Sequence, residues 1–228
     1  MDARMAERAT TPRYTIPAAA PLVGRPAETV RRWSLGHHRT YQGRPAIDEP
    51  LISADGKRDE AQVLSFLNLL ELRMLSHYRD QAALQAIRRA LSFAADQLEE
   101  PRPLISVEFK VHGGELFTRF AETDDGRELL LNASRGGQLT AEQLAATVGE
   151  ITEEIDYDSD ISWRWWFKSR SIPVLVDTKV AGGLPITAET GVRVDAIASR
   201  HRDGYTPAEI EHDTGASQTE IVAAILAA

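Results

Sequence analysis

The stretch YTIPAAAPLVGRPAETVRRWSLG, residues 14–36, predicts two short helices joined by a tight turn. Thr15 is a typical N-cap for a first helix over 16–23, and Gly24 can adopt the left-handed conformation that ends a helix. A second helix over 26–34 begins on a proline, which is favoured in a first turn. The stretch therefore predicts a helix-turn-helix.

The second helix has one apolar face and one polar, mostly basic face. Val30 and Trp33 are spaced i and i+3, so they lie on one side and are predicted to face the core. The outward or edge positions are Arg25, Glu28, Thr29, Arg31 and Arg32. Arginine can bond guanine through two hydrogen bonds or pair with phosphate, so this face suits a DNA groove. A solvated basic face on a small helical cap fits the same pattern equally well.

Positive charge is concentrated near the N-terminus of an otherwise acidic chain. The 228 residues carry a formal net charge of -8, yet residues 13–44 hold six arginines and a single glutamate. These arginines are Arg13, Arg25, Arg31, Arg32, Arg39 and Arg44. Non-specific DNA affinity comes from cationic groups near phosphates, so a local basic segment can bind DNA although the whole chain is acidic. Arg13 and Arg25 are therefore predicted DNA contacts beside those of the second helix and the wing.

The composition limits the class of protein. There is no cysteine, which excludes disulfides and thiolate metal sites. No apolar run approaches the roughly 18 residues of a membrane span, and the first dozen residues lack the apolar core of a secretory signal. We therefore expect a cytoplasmic protein without membrane partners.

Downstream of the helix-turn-helix, residues 36–52 contain an Arg- and His-rich stretch with Gly at both ends, followed by prolines, which predicts a hairpin or wing. Helical periodicity then predicts two long helices over 58–77 and 80–98. Both helices have more apolar residues than the core of a single helical layer requires, so we expect them to form a homodimer interface as well as a core.

From residue 104 the apolar period changes from helical to alternating, which predicts a three-stranded meander with turns at 113–114 and 124–126. Thr140 and Gln143 form a capping box for a helix over 141–150. The acidic run 153–160 fails as a calcium loop, because Ile161 and Phe167 occupy the positions that require Gly and Glu. It is predicted to be a solvated acidic loop.

The C-terminal residues predict a hairpin followed by three helices. The segments IPVLVD and LPIT flank TKVAGG and are the two strands, and a helix follows over 191–202. Capping boxes at Thr206 and Ser217 open two further helices with helix-turn-helix spacing. The fold is thus predicted to be α+β and mainly helical. We divide it into a disordered N-terminus (1–12), a winged-helix and dimerisation domain (13–100), a meander and linker (101–170) and a C-terminal helical domain (171–228).

The front half resembles the MerR-like winged-helix family, in which an aromatic residue, a short helix and a glycine precede a Thr-apolar-Arg-x-aromatic helix. Thr29, Val30, Arg31 and Trp33 occupy the last of these positions. The resemblance implies DNA contacts from Thr29, Arg31 and Arg32, and wing contacts from His38, Arg39 or Arg44. Pro21 departs from the pattern, because the family often has Arg there. We expect a short or irregular first helix and the loss of one phosphate contact.

The C-terminal part resembles a widespread prokaryotic domain of unknown function, through its Asp before the turn GGLPI and its closing EIVAAIL helix. That domain is similar to antitoxins encoded beside PIN-like ribonuclease toxins. With the MerR-like front half, the architecture resembles longer VapB-type antitoxins. The resemblance implies a toxin ribonuclease as partner and repression of the chain's own operon.

Two segments are candidates for partner contact. Residues 171–228 have a net charge of -4, and the last helix has no basic side chain, so this helix-turn-helix is predicted to bind protein or dimerise. Aromatic and basic residues, which dominate interfaces, cluster in SWRWWFKSR. We mark its members as candidate toxin contacts: Trp163, Arg164, Trp165, Trp166, Lys168 and Arg170. The alternative is a tryptophan-rich strand packed under the C-terminal domain.

The sequence thus predicts an antitoxin that binds operator DNA and neutralises a PIN-like ribonuclease. It has no phosphate loop and no paired metal-binding histidines, so we expect no catalytic residues, no metal and no cofactor. A MerR-like regulator without a toxin partner is the alternative. A metal-dependent hydrolase acting through the acidic run is the remote one.

Overall fold

The protein's structure is a computed structural model. It describes residues 3–41, 44–57, 61–97, 99, 101–106, 109–112, 115–122, 128–133, 138–140, 155–158, 161–166 and 171–228. No helix in these ranges is long and apolar enough to cross a membrane. The fold is mainly helical α+β, as predicted.

The chain forms two compact units, each built from segments that are distant in sequence. The terminal unit comprises residues 1–27, 54–69 and 150–228. The inner unit comprises residues 28–53 and 70–149.

In the terminal unit, α1 spans Ala3–Thr10 and α2 spans Ile16–Val23. The Thr15 side chain accepts a hydrogen bond from the backbone N–H of Ala18, and Gly24 ends α2 at φ 72°. Pro21 lies inside this helix and removes one backbone donor. The helix still runs over its predicted residues, so the proline does not break it.

Tyr14, two residues before α2, pairs with a distant segment of the same unit. Backbone N–H groups of Tyr14 and Leu64 each bond the other residue's carbonyl, at 2.9 and 3.2 Å. This pairing holds Leu64 in an extended conformation, so the long helix α4 begins later than predicted and spans Phe66–Gln81. The predicted start at residue 58 was wrong because tertiary pairing overrides the helical periodicity there.

The start of α4 is fixed by a reciprocal cap that the periodicity did not reveal. The Asn68 side chain accepts from the Ser65 N–H at 3.2 Å, and the Ser65 hydroxyl accepts from the Asn68 N–H at 3.1 Å. The same Asn68 oxygen accepts from the Asp55 N–H at 2.9 Å. This is the capping-box arrangement with an amide in place of the usual carboxylate.

A four-stranded antiparallel sheet completes the terminal unit, in the order β10-β9-β8-β7. Its strands are β7 (Ile155–Asp158), β8 (Ile161–Trp166), β9 (Val174–Asp177) and β10 (Pro185–Thr187). The predicted C-terminal hairpin is therefore confirmed, but it extends into a larger sheet. The prediction of an acidic loop was wrong for 155–158, because these residues pair with the tryptophan-rich strand.

Three helices follow the sheet: α7 (Val194–Arg202), α8 (Pro207–Thr214) and α9 (Gln218–Ala227). Both predicted capping boxes are present, with side-chain and backbone bonds in each direction. Ile197, Ile210 and Ile221 have no exposed surface and form the core among the helices.

The inner unit begins with the second helix of the predicted helix-turn-helix. Helix α3 spans Ala27–Leu35, and its inward residues Val30 and Trp33 are buried. An antiparallel hairpin of β1 (His37–Tyr41) and β2 (Arg44–Asp48) follows, so the predicted wing is confirmed.

Helix α5 spans Leu84–Gln97, and a short helix α6 spans Pro103–Ser106. An antiparallel sheet follows in the order β3-β4-β5-β6, formed by Phe109–His112, Glu115–Glu122, Glu128–Asn132 and Gln138–Thr140. The sheet has one strand more than predicted, and Thr140 belongs to that strand. The predicted helix 141–150 and the turns at 113–114 and 124–126 lie outside the described residues.

Candidate nucleic-acid interface

Helix α3 presents the basic face that the sequence predicted. Val30 is fully buried and Trp33 is 6% exposed, while Arg31 and Arg32 are exposed. Arg32 lies 3.8 Å from the Glu28 carboxylate, and about half of each side chain is accessible. Such an exposed ion pair contributes little to stability, so Arg32 can exchange it for a phosphate at small cost. Thr29 is half-buried at the edge of the face.

The buried side of α3 is hydrogen-bonded to the residues that follow the wing. The Trp33 carbonyl accepts hydrogen bonds from the N–H groups of Leu51 and Ile52, at 2.7 and 3.3 Å. The buried Ser34 hydroxyl donates to the Val30 carbonyl at 2.7 Å. These bonds orient α3 from its buried side, so its exposed side remains available.

The wing places its predicted contact residues on a regular ladder. His38 pairs with Ile47, Arg39 with Ala46, and Tyr41 with Arg44. His38 is exposed, whereas the side chains of Arg39 and Arg44 lie outside the described residues.

Sequence reasoning missed Ile47. It is 58% exposed although it is large and apolar, and it lies directly across the wing from His38. Side chains at paired positions project from the same face of a hairpin. Side chains alternate between the two faces of a strand, and counting back from Asp48 by this rule could have located Ile47. An exposed apolar wing residue can contact sugar or a thymine methyl group.

The remaining predicted contacts, Arg13 and Arg25, belong to the terminal unit and are half-buried. The backbone N–H of Arg13 donates to the Leu64 carbonyl at 2.8 Å, and that of Arg25 donates to the Ala20 carbonyl at 3.1 Å. Six of the eight predicted contacts thus share the inner unit: Thr29, Arg31, Arg32, His38, Arg39 and Arg44.

Gly36 joins α3 to the wing, and we expect its replacement to disturb both. Its φ is +72°, and a Cβ would lie 2.6 Å from the Asp48 carbonyl oxygen. Gly24 has the same φ of +72°, but a Cβ there would meet no atom within 4 Å, so Gly24→Ala adds backbone strain only. We expect Gly36→Ala to lower the free energy of unfolding by about 2–4 kcal/mol and Gly24→Ala by about 1–2 kcal/mol.

Urea denaturation of the two variants beside the parent chain measures this difference. Equal losses for Gly36→Ala and Gly24→Ala would mean that the Asp48 carbonyl moves aside freely.

The C-terminal helices lack a comparable basic face. Arg193 is bonded to Asp195, and the Arg200 guanidinium lies 3.8 Å from Asp213. The hydrogen bond from Arg193 is the main cause that lowers the pKa of Asp195. On α9, Val222 and Leu226 are 50% and 77% exposed, so its open face is apolar rather than cationic.

The tryptophan-rich strand is partly built into the terminal unit. Trp165 is buried, and Arg164 bonds the buried Asp177 carboxylate at 3.0 Å. Trp166 is half-buried, while the side chain of Trp163 and all of Lys168 and Arg170 lie outside the described residues. For Arg164 and Trp165 this geometry matches the alternative, a strand packed under the C-terminal domain.

Among the described residues, no group of three or more His, Asp or Glu side chains could hold a metal ion. Asp156 and Asp158 lie in β7 rather than in a chelating loop.

Known families match both ends of the chain. Residues 12–91 match a family described as "Putative DNA-binding HTH domain". This segment covers α2, α3, the wing and the first long helix. Residues 174–227 match a family described as "Protein of unknown function (DUF433)". No curated protein matches the chain.

The fold has a relative among solved structures. The crystal structure of Rv2018 from Mycobacterium tuberculosis superposes with a TM-score of 0.62 at 19% sequence identity. The match covers 94% of this chain and 98% of that one, so nearly the whole fold is shared.

Proposed function

We propose that this chain is a DNA-binding transcription regulator that reads its operator with α3 and the wing. The observation that carries the proposal is the exposed Arg31–Arg32 pair on a helix whose other side is buried, within the segment that matches the HTH family. The helix supplies base and phosphate contacts, and the wing adds His38 and the exposed Ile47. A MerR-like docking geometry and a homodimer through the long helices belong to the same proposal.

DNA taken from upstream of the gene tests this function. We expect the full chain to shift that DNA and protect one site from cleavage, with an affinity that falls steeply with salt. Equal affinity for unrelated DNA of the same length would contradict a specific operator.

We further propose that the regulator is an antitoxin that represses its own operon and neutralises a PIN-like ribonuclease. The acidic C-terminal segment supports this, because a ribonuclease has a cationic RNA-binding surface that an acidic partner can cover. The apolar patch of Val222 and Leu226 supplies the uncharged centre that protein interfaces favour. In this proposal the chain acts in the cytoplasm, is not an enzyme and uses no cofactor.

We propose α9, rather than Arg164 and Trp165, as the toxin-binding surface. Arg164 already neutralises the buried Asp177, so moving it into a toxin would leave that carboxylate without its cationic partner. Lys168 and Arg170 remain candidate contacts.

Co-expression with the product of the adjacent gene tests the antitoxin proposal. We expect the two proteins to co-purify and the ribonuclease to be inactive in the complex. The double variant Val222→Glu, Leu226→Glu should weaken the complex by about 100-fold, since it puts two charges in an apolar interface centre. The matched control Ala208→Glu, His212→Glu adds the same charges to exposed positions of α8 and should leave binding intact.

The regulator without a toxin partner is the second candidate. It is favoured if no complex forms and the adjacent gene product has no ribonuclease activity.

A further inference from the structure

The terminal unit contains a cavity of about 410 Å³ between α2, β10, α7 and α9. Its walls are mostly apolar, and they come from segments at opposite ends of the chain. The main wall residues are Ala18, Leu22, Leu184, Val194, Ala198 and Ile225. A volume above roughly 300 Å³ with apolar walls and few polar groups is typical of small-molecule sites.

The cavity's floor is held in place by Tyr14. This side chain is 1% exposed, and its hydroxyl donates to the Gly183 carbonyl. A Cβ at Gly183, whose φ is +79°, would lie 2.9 Å from the Tyr14 oxygen, so only glycine permits this approach. Burial raises the pKa of Tyr14, so the phenol that lines the cavity stays neutral.

The charged side chains at the cavity come from α7. The Asp195 carboxylate accepts bonds from Arg193, so its negative charge is already compensated. The Arg202 Nε donates to the Ala198 carbonyl at 3.3 Å. Its two terminal nitrogens have no bonding partner within the described part of the chain, and His201 lies beside it on the lining. The cavity is thus lined mostly by apolar atoms, and Arg202 is the cationic side chain on its lining whose terminal nitrogens are open to a ligand.

We infer that this cavity binds a small monocarboxylic acid, whose carboxylate pairs with Arg202 and whose alkyl or aryl body lies between Leu22 and Ala198. A guanidinium at the edge of an apolar site selects a planar anion, because the fork of N–H donors matches two carboxylate oxygens. Such an acid spans α2 and α7, and α2 is connected to α3 by the three residues 24–26. Binding therefore stabilises the helix that precedes the arginine-bearing one.

Calorimetry on the full chain, without DNA, tests the site and does not depend on the proposed function. The probes are 4-phenylbutyrate and decanoate, each with the matching neutral alcohol. We expect at least one acid to bind with a Kd below about 1 mM, and its alcohol to bind about tenfold more weakly.

Two variants on α7 distinguish a direct contact between Arg202 and the carboxylate from a general effect of charge. Arg202→Gln should weaken the acid about tenfold without changing the alcohol. Arg200→Gln removes the same charge on the same helix outside the cavity and should change nothing. Equal losses for both variants would overturn the assignment of the carboxylate to Arg202.

Variants that fill the cavity with a larger side chain test whether the acid binds there. Ala198→Phe should abolish it, and Ala18→Phe, at an exposed lining position, should do so with less risk to folding. Unchanged acid affinity in a folded Ala18→Phe chain would overturn the proposal, as would the absence of saturable binding by both acids. A change of oligomeric state in Ala18→Phe without acid binding in the parent would instead make the cavity an interface between copies.

Discussion

Replacing Arg31 and Arg32 together with alanine lowers the affinity of the full chain for its operator by at least about 30-fold, because each lost base or phosphate contact costs about 1–2 kcal/mol. Both side chains are exposed on α3, and neither stabilises the fold through a buried partner. The salt dependence should fall as well, by about one unit of slope for each phosphate contact that is removed. Fluorescence anisotropy with labelled operator DNA at three or more salt concentrations measures both quantities.

The matched control is Arg193→Ala with Arg200→Ala, which removes two surface arginines, one at the N-cap of α7 and one within that helix. They form ion pairs with Asp195 and Asp213 and lie outside α3 and the wing, the proposed DNA contacts. We expect this variant to bind operator DNA almost as the parent does. A fall in affinity and slope equal to that of the α3 variant would show that net charge alone drives binding, and the role of α3 would be lost.

Local features of the fold could be predicted from sequence where the signal itself is local. The caps at Thr15, Thr206 and Ser217 are short-range bonds between a side chain and a backbone three residues away, so their spacing reveals them. The inward Val30–Trp33 pair follows from helical periodicity in the same way. These local rules were enough to position the basic face correctly.

Long-range pairing could not be predicted in this way. Leu64 belongs to a run of apolar residues with helical spacing, but it is extended because it pairs with Tyr14. This conformation depends on the distant partner segment and not on the local sequence. The extension of the C-terminal hairpin by β7 and β8 depends likewise on pairing, not on local propensity. The cavity at Tyr14 could not be predicted from the sequence either, because its walls come from opposite ends of the chain.

The C-terminal helices depend on one buried carboxylate, and its replacement should cost more stability than any surface change in the same domain. Glu220 is 1% exposed. One of its oxygens accepts from the N–H groups of Glu189 and Thr190, at 2.9 and 3.1 Å. The other accepts from the Ser217 N–H and the Thr190 hydroxyl, both at 3.1 Å. The side chain thus caps α9 and also holds the loop before α7.

We expect Glu220→Gln to lower the free energy of unfolding by about 2–4 kcal/mol, because the amide turns one acceptor into a donor that faces other donors. The control is Glu209→Gln, which alters the equivalent capping box on α8 at an exposed position and should cost far less. Urea denaturation followed by circular dichroism measures both. Equal losses would show that the bonds to the 189–190 loop contribute nothing beyond the helix cap.

The pH dependence of the free energy of unfolding, compared between the parent chain and Glu220→Gln, identifies the charge of Glu220 as the cause of the lost stability. Burial opposes the ionised form of Glu220, but the surrounding N–H donors outweigh it, and the pKa of this carboxyl is lowered in the folded chain. A group with a lowered folded pKa stabilises the protein above its unfolded pKa, and this contribution is lost as the pH falls through the folded value. The stability difference between the parent and Glu220→Gln should therefore be full above about pH 5 and shrink steadily below about pH 4. A difference that stays constant from pH 7 to pH 3 would assign the loss to packing rather than to the carboxylate, since a neutral side chain has no such titration.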